Sequence, residues 1–483
     1  MLAAVLGLLG APMVRSPREG EWRTWAAVSA LTMFDDDAGT TIANVLRMQA
    51  GGDLPELPVS DPVEEAAAHL ARDTFVALLP PVGERSMGSA LSPASISRNP
   101  WSVRFQEAVL ADSDLGQLFT GPPETDAGSF SFMSTTGHGE GGVQLALLGE
   151  RILSTPAAIC RAHQATPTQF VAAGIGAVSH MRRLVIAGRT VRAPALLGFD
   201  GISVPPETHV DTPWGHLRAV TAGERELTGT FPGSGNAVLE VEYPVKLYIG
   251  HDAAFGSVDS RAVEAMRAAR ADLEERARMI ALAVLLAEDV PLPAGVGLRY
   301  TLIEDPFGWM PAISGRIDAG PRGAVELSAE QVAAVGEWLV LLEGRHHGSM
   351  SVAVRRTLSA HERFDSTDAF IDALIAWDGV FGARSGDAVT FRVALGFALV
   401  LGGTEPERRE IKRRAQELYA LRSDLVHGSI PELPWKEAGE HREQAVRLLM
   451  QALRVLYRDH PRLLSSQDRT GDLVLRLGAD PCE

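Results

Sequence analysis

"LYALRSDLVHGSIPELPW" occupies Leu418–Trp435. It places Tyr419, Arg422, Ser423 and His427 on one short stretch, then breaks at Gly428 and turns polar and proline-rich. Gly428 is suited to the residue just past a helix end, which puts His427 in the last turn. Two readings of that end compete. In one, Arg422 pairs with Glu417 or Asp424 and His427 is an ordinary cap. In the other, Arg422 and His427 form a catalytic pair.

Working outward, the stretch closes the third of four predicted helices. "DSTDAFIDALIAWDGVFG" opens with Asp365 and Ser366 as N-cap candidates, shows one face of Ile371, Leu374 and Ile375, and stops at Gly382. "DAVTFRVALGFALVLGG" is strongly apolar and predicts a buried helix. "PERREIKRRAQELYALRSDLVHG" starts with Pro406 in the first turn. "KEAGEHREQAVRLLMQALRVLYRDH" is the fourth, closed by Pro461. Loops are expected near 382–386, 402–406 and 428–435, with no strand between 355 and 465.

Upstream, the pattern is mixed. Asp61-Pro62 begins a helix over "VEEAAAHLARDTFVALL". "PPVGERSMGSALSPASISRNPW" and "FTGPPETDAGSFSFMSTTGHGEGG" read as loops. "PTQFVAAGIGAVSHMRRLVIAG" predicts a helix. "GRTVRAPALLGFDGISV", "THVDTPWGHLRAVT" and "NAVLEVEYPVKLYIG" are β-branched and separated by Gly, Pro and Asp, so they predict strands. "DSRAVEAMRAARADLEERARMIALAVLLA" is the clearest long helix, capped by Asp259 or Ser260. No fixed-period repeat is present. The expected fold class is α+β multidomain: a mixed α/β N-terminal region followed by an all-α four-helix bundle. The divisions are 1–150, 151–345 ending in a long helix, 350–465, and a tail at 466–483.

The 483 residues exceed one ordinary core. An apolar fraction of 46% and a charged fraction of 22% exclude a disordered chain. The two cysteines, Cys160 and Cys482, exclude a zinc ribbon or disulfide scaffold and fit a reducing compartment. The apolar run in "MLAAVLGLLGAPMVRSPREGEW" falls short of the roughly 20 residues that span a bilayer. It lacks a basic leader, so a buried first element and a cytoplasmic protein are expected. The net charge of −16 excludes a general nucleic-acid coat, so any such contact must be local.

Five residues on a helix turn the chain about 500°, which leaves Arg422 and His427 about 140° apart. They share a face only if the last turn frays and bends. The bare spacing also recurs in Arg355 or Arg356 with His361, and in Arg454 with His460. Chemistry favours the first pair all the same. Histidine moves protons near neutral pH, and a guanidinium clamps phosphate at two points. With no metal-ligand set and no cofactor motif, that pair suits RNA cleavage.

From about Val354 to Leu464 the chain resembles the HEPN superfamily, in its Apea-like group. "AWDGVFG", "TFRVALGFALVLG", "LYALRSDLVHG" and the long amphipathic helix after them carry the resemblance. The resemblance implies an up-down four-helix bundle, commonly a homodimer, with Arg422 and His427 in a cleft between copies. It implies metal-independent RNA cleavage by the ribose 2′-OH, with Arg422 stabilising the phosphorane and His427 as acid or base. Ser423 holds the polar position after the arginine. Asp378 stands where the family usually has an acid, and is expected within hydrogen-bond reach of Arg422 or His427. A role in defence or stress response follows by analogy alone. The rival reading is a non-catalytic dimerisation or ligand- and nucleotide-binding module.

Other features read more plainly. "ERREIKRR" (Glu407–Arg414) could guide a phosphate backbone through Arg413 and Arg414, with Tyr419 beside the substrate. Its interleaved glutamates favour a solvated face. His346 and His347 read as linker residues. "TTGHGEGG" and "FPGSGN" lack the P-loop lysine and read as turns. Trp214, His216 and Arg218 alternate on a predicted strand, as a ligand-facing row or a half-buried strand.

Overall fold

A computed structural model describes residues 30–475, apart from 56–58, 79–95, 97–98, 120–127, 136–139, 163, 188–189, 223, 226–235, 251–259, 293, 304–306, 308–311, 314–323, 383–388 and 431–432. The chain is mostly helical with small sheets. Its helices are α1 (Ile42–Gln49), α2 (Pro62–Thr74), α3 (Pro100–Ala111), α4 (Leu148–Ala162), α5 (Pro167–Ala187), α6 (Ser260–Ala287), α7 (Ala329–Arg345), α8 (Ser351–Glu362), α9 (Ser366–Phe381), α10 (Val389–Leu401), α11 (Glu405–Val426), α12 (Trp435–Asp459) and α13 (Arg469–Val474).

Helix α2 starts where its sequence says: Asp61 accepts hydrogen bonds from the N–H groups of Val63 and Glu64. Its buried Ala66, Ala67, Ala68 and Ala71 let α3 and α5 approach closely. The "GSFSFMS" stretch, expected as loop, forms a strand over Ser129–Ser134. It pairs with Glu140–Gln144 on one side and with Leu247–Gly250 on the other. Serines alternate there with buried Phe130 and Phe132, a period-2 pattern that the surrounding Gly and Pro obscure. Most of the predicted strands lie in a six-stranded antiparallel sheet, in the order Ala312–Ile313, Gly297–Ile303, Val191–Asp200, Ala237–Val245, Gly215–Ala219, His209–Thr212, whose first two members were not predicted.

Helix α6 begins at Ser260; Asp259 lies outside the described residues. Its apolar "MIALAVLL" segment is buried from Met279 to Leu286. No helix among the described residues is long and apolar enough to cross a membrane. Helix α7, whose Ser328–Gln331 capping box is a clear start signal, adds an element between α6 and the C-terminal helices.

Between Ser351 and Asp459 the described residues form five helices, α8 to α12, joined by short connections, and none of them lies in a strand. Helix α8 precedes the four predicted helices and packs along α9. The N-cap of α9 is Asp365, which accepts from the Asp368 N–H at 2.7 Å. Its buried stripe is Phe370, Ala373, Leu374, Trp377, Val380 and Phe381. Ile371, Ile375 and Asp378 form the half-buried edge of that stripe. Trp377 donates from its indole N–H to the Ala445 carbonyl at 3.2 Å, which ties α9 to α12. Helix α11 opens with a Thr404–Glu407 capping box and Pro406 in its first turn.

Candidate functional site

The end of α11 is locked. The N–H of Ser429 bonds the Asp424 carbonyl at 2.8 Å, and the N–H of Gly428 bonds the Leu425 carbonyl at 3.2 Å. This is the Schellman arrangement, and it needs the left-handed residue that Gly428 supplies at φ +73°. His427 is the C-cap at φ −86°, ψ 0°, close to helical. The expected fraying is therefore absent: the chain turns after His427. Arg422 and His427 keep close to the helical separation of about 140°. Ser423, half-buried, sits between them around the helix. His427 is exposed, and among the described residues its ring makes no hydrogen bond.

Asp378, from α9, meets the same turn of α11. The Tyr419 hydroxyl donates to Asp378 Oδ1 at 2.6 Å. Arg422 Nη2 stands 3.9 Å from Asp378 Oδ2, at ion-pair distance and beyond a hydrogen bond. The Arg422 guanidinium lies 5.5 Å from the centre of the Tyr419 ring. The expected direct bond from Asp378 to Arg422 or His427 is thus replaced by one from Tyr419. The physical reason is spacing: residues three apart share a helix face, so the rigid phenol reaches the carboxylate beside the guanidinium. That i, i+3 relation was the signal in the sequence for this role of Tyr419.

Electrostatics follow burial. Partial burial raises the Asp378 carboxyl above its ordinary range, against the opposing pull of the Tyr419 bond and the Arg422 charge. Burial, and then the bond to Asp378, push the Tyr419 phenol far above its usual range, so it remains a donor. Arg422 is 25% exposed and its Nε is buried without a hydrogen-bond partner. Neither acid of the plainer reading takes it. Glu417 pairs with Arg413, and the Asp424 carbonyl closes the helix.

The basic run is a salt-bridged face. Arg413 is held by Glu410 and Glu417, and Arg414 is exposed. Lys412 sits 4.4 Å over the Phe391 ring. The look-alike pairs are structural. His361 is buried with Nδ1 on the Thr357 carbonyl at 3.0 Å, and Arg356 pairs with Asp372 at 2.7 Å. Arg454 donates to the carbonyls of Leu286, Leu285 and Glu288 and caps the end of α6. His460 ends α12. His346 pairs through Nδ1 with the Tyr457 hydroxyl at 2.7 Å. Trp214 lies in the turn between two strands, not on one, and donates to Glu343 at 2.9 Å. His216 contacts Asp211, and Arg218 forks onto Glu224. No ligand-facing row forms there. Among the described residues no group of three or more His, Cys, Asp and Glu side chains is placed to hold a metal ion.

Comparison with family models, curated proteins and solved structures returns no match to this chain.

Proposed function

We propose that the C-terminal helices form a HEPN-like, metal-independent endoribonuclease with Arg422 as phosphate clamp and His427 as proton mover. The observation that carries this reading is the state of Arg422: half-buried, oriented by Tyr419 and Asp378, yet donating no hydrogen bond among the described residues. A guanidinium held in place with its donors free suits a phosphodiester. An exposed histidine one turn further on suits proton transfer to and from the ribose and leaving oxygens.

In this mechanism a base removes the 2′-OH proton, and the oxygen attacks the adjacent phosphorus. Arg422 stabilises the charge that develops on the non-bridging oxygens. An acid protonates the departing 5′-oxygen, leaving a 2′,3′-cyclic phosphate. The helical separation of Arg422 and His427 suits a cleft between two copies, where Arg422 of one chain faces His427 of the other.

The test is cleavage of varied RNAs in excess chelator. Wild type is expected to cut and to leave 2′,3′-cyclic ends. His427→Ala should lose about 10²–10⁴-fold in rate. Arg422→Lys should lose most activity despite keeping its charge, because an ammonium cannot make the planar contact. His361→Ala is expected to retain activity in its folded fraction. Equal inertness of wild type and His427→Ala would install the binding-module reading, and a requirement for Mg²⁺ would reject the mechanism.

A further inference from the structure

Elsewhere in the molecule, several arginines close directly onto carboxylates. Arg218 forks onto Glu224 at 2.8 and 2.9 Å. Arg182 meets Asp61 at 2.8 Å and Asp112 at 2.7 Å. Asp372 takes Arg356 at 2.7 Å and Arg363 at 2.6 Å. Arg422 behaves differently. Its carboxylate neighbour, Asp378, is 31% exposed and on an adjacent helix, yet stops 3.9 Å away. A charge-assisted arginine–carboxylate bond closes to about 2.7–2.9 Å, so the approach halts roughly 1 Å short.

Tyr419 accounts for the gap. Its hydroxyl holds Asp378 Oδ1 at 2.6 Å, within the short range of an O–H donor on a carboxylate. Its ring centre, 5.5 Å from the guanidinium, lies within cation–π range of it. A carboxylate accepts an arginine fork through both oxygens. Anchored through Oδ1, Asp378 keeps its charge close to Arg422 while its Oδ2 stays 3.9 Å from Nη2.

We propose that Tyr419 is a positioning residue that holds Asp378 back from Arg422, leaving the guanidinium open to a phosphate oxyanion. Without the phenol, Asp378 rotates onto Arg422 and competes with the ligand for the same N–H groups. The proposal rests on Arg422 as the phosphate clamp of the preceding section, but it is read by binding and not by cleavage.

The experiment titrates inorganic phosphate into the full chain and follows the Arg422 Nε–H signal, assigned by its loss in Arg422→Lys. Wild type should show a saturating shift. Tyr419→Phe should weaken phosphate binding about tenfold, the scale of one competing charged hydrogen bond. Asp378→Asn should bind at least as tightly as wild type. The double variant Tyr419→Phe/Asp378→Asn should recover the affinity lost in Tyr419→Phe, a rescue that simple loss of packing cannot produce. No phosphate binding at Arg422 in wild type, unaltered binding in Tyr419→Phe, or a double variant as weak as Tyr419→Phe would each overturn the proposal. The expected binding pattern in a protein that cuts no RNA would reject the nuclease and keep the role of Tyr419. RNA cleavage alongside unaltered binding in Tyr419→Phe would do the reverse.

Discussion

At the scale of single residues, burial keeps His361 neutral. His361 is enclosed, its Nδ1 on the Thr357 carbonyl, while Arg442 donates to the carbonyls of Ala360 and His361 at 2.7 and 3.0 Å. Burial lowers its pKa from 6.5 to about 4. The unfolded chain therefore takes up a proton before the folded one does. Stability from this residue is complete above pH 6.5 and is lost as pH falls toward 4, by roughly 3 kcal/mol in all. His69, stacked on Trp101 at 3.5 Å and receiving a bond from Arg72, is also lowered to about 4 and adds a loss of the same sign. Urea unfolding at pH 7 and pH 4.5 should show His361→Leu less stable at pH 7 but losing less than wild type on acidification. An equal loss in both proteins would count against the buried neutral imidazole. The sequence put His361, His427 and His460 in the same bare pattern, because an Arg–His spacing holds no information about enclosure.

At the scale of elements, two glycines act by different physics. Gly396 sits inside α10, where alanine would gain about 1 kcal/mol of helix propensity. A Cβ there would stand 2.5 Å from Phe381 Cδ1 and 2.9 Å from Thr470 Oγ1. Phe381 cannot yield easily, since it is buried against Phe397 at 4.8 Å. Overpacking wins, and Gly396→Ala should destabilise the chain by roughly 1–2 kcal/mol net. At Gly428 a Cβ would meet nothing within 4 Å, so only the φ of +73° opposes a side chain. Gly428→Ala should cost about 1–2 kcal/mol, and Gly428→Asn less, because asparagine tolerates the left-handed region. Thermal unfolding of the three variants separates the two causes. The stop at Gly428 was legible from its position after the last helical residue. The close approach at Gly396 was not, because it depends on a side chain from another helix.

At the scale of the whole molecule, the long α6 and the C-terminal helices are joined by polar contacts. Arg454 caps α6, and the Ala294 N–H bonds the His361 carbonyl at 2.8 Å. The proposed site adds a second copy to that scale, and the copy can be tested by mixing. Arg422→Lys and His427→Ala, each weak alone, should give a mixture more active than either at the same total concentration. Activity equal to the mean of the two would place each site within one chain.

The sequence by itself determined helices α9 to α12, the long α6, most strands of the larger sheet and the stop at Gly428, while α8 and α13, the latter in the expected tail, were not predicted. The features it determined follow from local periodicity, capping groups and backbone freedom, all written within a few residues of where they act. Only the tertiary structure decided that the last turn of α11 stays helical and that Asp378 is held by Tyr419, 3.9 Å short of its arginine. It also decided that "GSFSFMS" is a strand, by pairing it with Leu247–Gly250 more than a hundred residues later. Each of these depends on distances between segments far apart in the chain, and the energies involved arise from burial and contact that no local pattern encodes.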